Sequence, residues 1–424
     1  MKVVIMAGGK GTRIASIAND IPKPMISING KTILEYEIQN LKDQGYHEII
    51  LVVGHLGHII QDYFKDGSKF GVNIKYFKEE TPLGTAGALY YLKDELTEDF
   101  FLLNGDAVMD IDFNRMEKYH REKNASVTLF THPNNHPYDS ALIVTDNFGK
   151  VIKWIHKEEK RELYKNRVNA GIHILSPRVI AEIKHPGKWD LDRDILKPLV
   201  DNGDVYAYDS PEYVKDMGTP ERLNEVTLDL ANGKVTAKCL RKEQKAIFLD
   251  RDGTINKYKG FITKPDQIEL IDGVAEAIKH INSSNYLVIV ISNQPVIARG
   301  DCTFEELNSI NNMIETQLGN YGAYVDSWFI CPHHPDKGFE GERIEYKIKC
   351  NCRKPKPGLI LDAIDKFNIL PEESYMIGDS KSDIIAGYKA KCNPIYIGDN
   401  KIDDLDFKFE TYANLKEFVE KKIN

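Results

Sequence analysis

The chain has 424 residues, 42% hydrophobic and 28% charged, with a formal net charge of −8. That length exceeds one hydrophobic core and predicts two domains or three. The acidic balance, with no long basic run, argues against a nucleic-acid partner, and no apolar stretch is long enough to span a bilayer.

Residues 1–6 are apolar and run straight into Gly8-Gly9. This predicts a buried first strand rather than a signal peptide, and hence a cytoplasmic location. Apolar runs at 48–53, 100–103 and 126–130 read as further strands, with helical patterns at 32–44 and 59–64. The register restarts near residue 245, with strands expected at 245–249, 286–292, 374–378 and 393–398. Between them, residues 232–244 are polar and basic and lack aromatics, as a linker would. The expectation is an α/β protein of two domains, each a mainly parallel sheet flanked by helices, over 1–232 and 245–424 with a linker at 233–244. Residues 401–424 carry a charged helical pattern to which the sequence assigns no role.

The first strand is followed by Ala7-Gly8-Gly9-Lys10-Gly11-Thr12-Arg13. Closely spaced glycines let backbone N–H groups approach a phosphate chain, and Arg13 can fork onto its oxygens. The stretch is neither a Walker loop nor a Gly-x-Gly-x-x-Gly turn. Pro22-Lys23-Pro24 predicts an extended, stiff segment that fixes Lys23 as a point charge. Leu83-Gly84-Thr85-Ala86-Gly87 offers a second glycine turn. Asn104-Gly105-Asp106 ends a strand, where ligands of open parallel sheets bind. Asp216, in Lys215-Asp216-Met217-Gly218-Thr219-Pro220, adds a second carboxylate, and hard oxygens of this kind suit Mg²⁺.

These motifs, in this order, resemble the sugar-1-phosphate nucleotidyltransferases over about residues 1–230. The resemblance implies a Rossmann-like domain in which a sugar 1-phosphate oxygen attacks the α-phosphorus of a nucleoside triphosphate. By it, Gly8, Gly9, Gly11, Thr12, Arg13, Lys23, Gly84, Thr85 and Asp106 line the nucleotide site, Arg13 and Lys23 being catalytic. Asp106 and Asp216 hold Mg²⁺, and Asn169 and Gly171 meet the sugar. The segments 19–25 and 136–140 look most like the branch that makes GDP-D-glycero-D-manno-heptose. A departure is His156-Lys157, where many relatives carry Glu-Lys.

Asp250-Arg251-Asp252-Gly253-Thr254 closes the strand expected at 245–249. Residues i and i+2 of an extended chain point the same way, so both carboxylates face one site. Ser292-Asn293, Arg353-Lys354 and Gly378-Asp379-Ser380-Lys381-Ser382-Asp383 follow. Cys331-Pro332-His333 and Cys350-Asn351-Cys352 can close a tetrahedral zinc site, with His334 set aside as the less suited neighbour.

The set resembles the haloacid-dehalogenase-like phosphatases, in their zinc-loop subfamily, over about residues 245–400. The resemblance implies that Asp250 is the nucleophile and Asp252 the acid and base, with Ser292 and Lys354 holding the phosphoryl group. Mg²⁺ lies on Asp250, the Asp252 carbonyl and Asp379, with Asp383 in support. Zn²⁺ sits structurally on Cys331, His333, Cys350 and Cys352. Asn293, Arg353, Lys354 and a short flap at Lys259-Gly260 meet substrate in a capless domain. Pro295-Val296 and Ser380 depart from the heptose bisphosphate phosphatase pattern.

Together the halves imply a bifunctional enzyme that dephosphorylates D-glycero-D-manno-heptose 1,7-bisphosphate and then makes GDP-heptose from GTP. Two readings stay open: another sugar phosphate with UTP or CTP, or one half serving only as a nucleotide-sugar-binding regulator. The partners expected are small molecules, with no nucleic acid and no membrane. The oligomeric state is left open, a homo-oligomer included.

Overall fold

The computed structural model describes residues 1–9, 20–338 and 340–423. The chain divides into two compact units, one of residues 1–132, 143–156 and 168–239, the other of 133–142, 157–167 and 240–424.

In the first unit four neighbouring parallel strands run in the order Phe100–Asn104, Lys2–Met6, Glu48–Val53, Asn73–Lys78. Each is a short apolar run, and the helix Ile33–Lys42 covers them with Leu34, Ile38 and Leu41, one stripe at helical spacing. Thr32 and Glu35 start that helix by exchanging side-chain and backbone hydrogen bonds. The strand order reverses beside Lys2–Met6, and such a switch point opens a crevice at the strands' C-terminal ends. Gly8 and Asp106 both follow those ends. Val168–Leu175 continues the sheet antiparallel to Phe100–Asn104.

The second unit holds six strands among the described residues, all parallel, in the order Ser327–Cys331, Tyr286–Asn293, Lys245–Leu249, Tyr375–Gly378, Asn393–Ile397, Glu410–Tyr412. Here too the order reverses, between Lys245–Leu249 and Tyr375–Gly378. Asp250 and Asp379 are the next residues of those two strands. The terminal segment without an assigned role completes this sheet: Glu410–Tyr412 pairs at its edge, and Leu415, Phe418 and Val419 of the helix Leu415–Lys422 enter the core. No helix among the described residues is long and apolar enough to cross a membrane.

The stretch read as a linker differs from that expectation. It carries the helix Lys234–Ala237, buries Val235, Cys239 and Leu240, and pairs Gln244 with Asn368 and Leu370 through backbone bonds. Its apolar residues are too few to show a period but enough to pack.

The second unit is also discontinuous. Glu315 is only 2% exposed and accepts N–H bonds from Asn166 (2.6 Å) and Trp328 (2.6 Å). Arg167 donates to the carbonyls of Val325 (3.3 Å) and Asp326 (2.8 Å), and its guanidinium lies 3.8 Å from Glu315. Breaking a buried pair strands a charge at a cost of about 3 kcal/mol. Arg167→Met is therefore expected to lower the temperature at which phosphate release is lost on heating. An unchanged inactivation curve would show that residues 157–167 contribute nothing to the second unit.

Candidate active sites

Each site grows from glycines that permit close approach. A Cβ on Gly8 would lie 2.6 Å from Glu79 Oε2 and 3.2 Å from the Gly54 nitrogen, whereas one on Gly9 would meet nothing within 4 Å among the described residues. Gly84 has φ +78°, and a Cβ there would lie 2.3 Å from the Trp189 carbonyl oxygen. That oxygen accepts from Thr85 N–H (3.0 Å) and Ala86 N–H (3.1 Å), and Thr85 Oγ1 accepts from Leu191 N–H (2.7 Å). The second glycine turn is thus pinned to residues 189–191. Gly11, Thr12 and Arg13 lie outside the described residues.

Lys23 corrects one expectation. It opens a 3-10 turn, Lys23–Met25, instead of lying extended, because Pro22 alone stays extended and its carbonyl accepts from Met25 N–H (2.8 Å). Lys23 Nζ is buried against Asp106 Oδ2 at 2.5 Å. Asp216 sits opposite Ala107 in an antiparallel pair, and Met217 N–H donates to the Asp106 carbonyl (3.2 Å). The backbones of the two aspartates expected to share a cation therefore lie side by side. Asp216 accepts from Arg222 Nη1 (3.0 and 2.9 Å) and from Gly218 N–H (2.8 Å). Burial acts to raise its pKa, but Arg222, Gly218 N–H and Lys23 outweigh burial and hold it below the ordinary value.

Asn169 Oδ1 accepts from Gly171 N–H (3.3 Å), and its amide donates to Asp192 (3.4 Å). Burial, then Asp190, pushes Asp192 up to about 6. A Cβ on Gly171 would lie 2.3 Å from Asn104 Nδ2, so Asn169-Ala170-Gly171 packs on the strand end that carries Asp106. Glu79, Trp189, Asp192 and Arg222 were not read from the sequence. Each is a single polar or aromatic residue outside any motif.

In the second unit Lys354 is buried, with Nζ 2.8 Å from Asp250 Oδ1, 2.7 Å from Asp383 Oδ1 and donating to the Ile291 carbonyl (2.8 Å). Burial acts to lower the lysine's pKa, but the two aspartates prevail and raise it. Asp250, Asp379 and Asp383 can bring one oxygen each within 4.8 Å of one another, more negative charge than Lys354 balances. Burial pushes Asp250 up to about 7, with Lys354 opposing and Asp383 adding. Asp379 is pushed up to about 6, by burial and then Asp383. Gly253, at φ +82°, makes room for Asp379, whose Oδ2 would lie 1.9 Å from a Cβ there.

Asp383 Oδ2 accepts from the hydroxyl (2.6 Å) and N–H (3.1 Å) of Ser380, which caps the helix Lys381–Lys389. The departure at Ser380 is thereby a structural cap. Asn293 brackets Lys354, its amide donating to that residue's carbonyl (3.1 Å) and accepting its N–H (3.0 Å). Ser292 is buried at the end of the same strand. In the expected flap, Lys259 pairs with Glu269 (2.9 Å) and Gly260 faces open space.

Cys331, His333, Cys350 and Cys352 converge, and among these four donors the cysteines are free of disulfides. The sulfur–sulfur separations are 3.7, 3.3 and 3.2 Å, and His333 Nδ1 is 3.7 Å from Cys331 Sγ and 3.2 Å from Cys352 Sγ. His334 stands apart, its Nδ1 accepting Asp336 N–H (3.2 Å). The set could hold a metal ion, and Arg353 is anchored on it by donating to the His333 carbonyl (3.2 Å).

Two sheets, the first with four neighbouring parallel strands and the second parallel throughout its described strands, each with charged groups gathered at its switch point, define a protein with two phosphate-handling centres. The chain belongs to the nucleotidyl transferase family, matched over residues 2–233, and to the haloacid dehalogenase-like hydrolases, matched over 173–391. It is 41% identical over 149 residues to a D-glycero-beta-D-manno-heptose-1,7-bisphosphate 7-phosphatase of Pasteurella multocida, covering 35% of this chain and 78% of that one. It is 30% identical over 241 residues to a mannose-1-phosphate guanylyltransferase of Mycobacterium tuberculosis, covering 56% and 67%. A UTP–glucose-1-phosphate uridylyltransferase of Synechocystis is 36% identical over 217 residues, 48% of this chain, and the chain spans 56% of that relative's length.

Proposed function

We propose that the second unit removes the 7-phosphate of D-glycero-D-manno-heptose 1,7-bisphosphate and that the first transfers GMP from GTP to the resulting heptose 1-phosphate. The product of the one reaction is the substrate of the other, which gives the fusion a chemical reason. The phosphatase and guanylyltransferase relatives support the two halves.

The observation that carries the choice of base is Glu79. Its Oε2 lies beside Gly8, and its Oε1 is buried with no hydrogen-bond partner among the described residues. Burial pushes the carboxyl up while Leu83 N–H pulls it down. A carboxylate is an acceptor only. Guanine presents two adjacent donors, N1–H and N2–H, on its pairing edge. Uracil presents a single N–H flanked by two carbonyl oxygens, which a carboxylate repels.

In the phosphatase reaction a carboxylate oxygen of Asp250 attacks phosphorus, and the bond to the sugar oxygen breaks. Asp252 gives that oxygen its proton. Asp252 then takes a proton from water, which attacks the aspartyl-phosphate and returns the electron pair to Asp250. Lys354 and Ser292 hold the phosphoryl oxygens. The hard oxygens of Asp250, Asp379 and the Asp252 carbonyl suit Mg²⁺, which when bound screens the repulsion between carboxylate and phosphate. In the transferase, Asp106 and Asp216 would hold Mg²⁺ once Lys23 and Arg222 turn to phosphate oxygens, and catalysis there is positioning and charge neutralisation. Zn²⁺ suits the cysteine–histidine set. The reactants are small and soluble, in keeping with a cytoplasmic enzyme.

With the bisphosphate, GTP and Mg²⁺, orthophosphate and pyrophosphate should appear in equal amounts. Glu79→Gln is expected to lower kcat/KM for GTP about 30-fold and narrow its lead over UTP, since a bidentate base contact is worth roughly 1–3 kcal/mol. The uridylyltransferase relative motivates the competing reading, and a wild-type chain that prefers UTP would establish it. Slow hydrolysis of this bisphosphate beside fast hydrolysis of another sugar phosphate would remove the heptose from the proposal.

A further inference from the structure

Asp252, read above as the proton donor, is not free to turn. Its Oδ1 accepts from Arg251 Nη2 (3.1 Å) and Asn256 Nδ2 (3.0 Å), and its Oδ2 accepts from Arg251 Nε (3.1 Å) and Gln294 Nε2 (2.8 Å). Arg251 and Asn256 belong to the same loop as Asp252 and are fully buried. Gln294 comes from elsewhere. It follows the strand Tyr286–Asn293, is 2% exposed, and its backbone N–H is fixed to the Cys331 carbonyl (2.8 Å) on the neighbouring strand.

The amide of Gln294 has two N–H donors. One goes to Asp252, and the same nitrogen lies 2.9 Å from Ser292 Oγ, to which it donates. Ser292 is the hydroxyl assigned to the phosphoryl group and Asp252 the acid for the departing oxygen. A single rigid amide therefore sets the distance between the group that holds phosphorus and the group that protonates its leaving atom. Arg251 cannot do this, since it fixes Asp252 only relative to its own loop and to Asn311 (3.2 Å).

We propose that Gln294 is a positioning residue that aims Asp252 at the leaving oxygen, and that its contribution falls on leaving-group protonation. The proposal rests on the reading of Asp252 as the acid. A proton is needed when an alkoxide must leave, because its conjugate acid is very weak. It is not needed for p-nitrophenolate, which leaves as the anion. For both substrates kcat/KM reports the steps up to P–O cleavage, before water attacks the aspartyl-phosphate.

The test compares kcat/KM of the full-length chain for an alkyl phosphomonoester it hydrolyses and for p-nitrophenyl phosphate. Gln294→Met removes both donors at similar volume. Gln294→Glu keeps the shape and polarity and serves if the methionine variant does not fold. Either change is expected to lower kcat/KM for the alkyl ester about 30-fold, part of what a general acid supplies, and that for p-nitrophenyl phosphate less than about threefold. Asp252→Asn, measured alongside, should show the same selectivity more strongly. Equal losses on both substrates in the Gln294 variants, with Asp252→Asn still selective, would overturn the role given to Gln294. Equal losses in Asp252→Asn as well would overturn the assignment of the acid on which it rests.

Discussion

Asp250→Asn is expected to slow phosphate release from the bisphosphate by roughly 10³-fold or more, while pyrophosphate release, assayed separately with heptose 1-phosphate and GTP, continues near its original rate. An amide oxygen is a far poorer nucleophile toward phosphorus than a carboxylate. Lys354 is committed to Asp250 and Asp383, and Ser292 is tied to Gln294. Loss of fold would give a trivial loss of activity, and the electrostatics separate the two. Burial raises the pKa of Asp250 in the folded chain, so stability tied to this group is present below its unfolded value and is lost as pH rises toward about 7. At pH 8 without divalent ions, the ionised carboxylate therefore works against folding, and its removal should leave the melting temperature unchanged or higher. Substantial phosphate release by this variant would dismiss Asp250 as nucleophile. Loss of both activities in a folded protein would dismiss two independent centres.

The strands were legible because each centre sits where a short apolar run meets a glycine or aspartate turn, and such runs have few other uses. Lys2–Met6, Glu48–Val53, Lys245–Leu249 and Tyr375–Gly378 all lie close to where the hydrophobic pattern put them. Ser327–Cys331 was missed although residues 328–331 are consecutively apolar, because so short a run shows no period and fits a strand or a buried helical turn equally. Glu410–Tyr412 is three residues with one inward side chain, too short for any period. The roles of Glu79 and Gln294 depend on what folding sets opposite them: Gly8 is distant in sequence from the one, and Asp252 from the other. The discontinuity of the second unit was hidden for the same reason. Arg167 and Glu315 are ordinary charged residues until their burial is known.

Removing zinc, by a strong chelator or by Cys352→Ser, is expected to abolish phosphate release from the bisphosphate and leave pyrophosphate release from heptose 1-phosphate and GTP intact, with close to one zinc per chain lost on elemental analysis. Zinc bonds of about 2.3 Å to sulfur and about 2.0 Å to nitrogen make tetrahedral edges of roughly 3.5–3.8 Å. The observed 3.2–3.7 Å already approach that figure. Burial pushes the Cys331 thiol up to about 11, and burial together with its neighbouring thiols raises Cys352 as well. Crowded thiols of this kind ionise together only around a soft cation, and structural zinc typically binds with about 10–16 kcal/mol. The link to activity is short in sequence. Arg353 donates to the His333 carbonyl, Lys356 donates to the Cys350 carbonyl (2.7 Å), and Lys354 between them reaches Asp250. Once the loop opens, Lys354 loses its backbone support, and Asp250 and Asp383 face each other without their cation. Limited proteolysis should then cut between residues 333 and 350 in the chelated protein before anything else in the second unit. A zinc-free chain that hydrolyses its substrate at full rate and resists cleavage there would mean that the four side chains are packed together without holding a metal that matters to the fold.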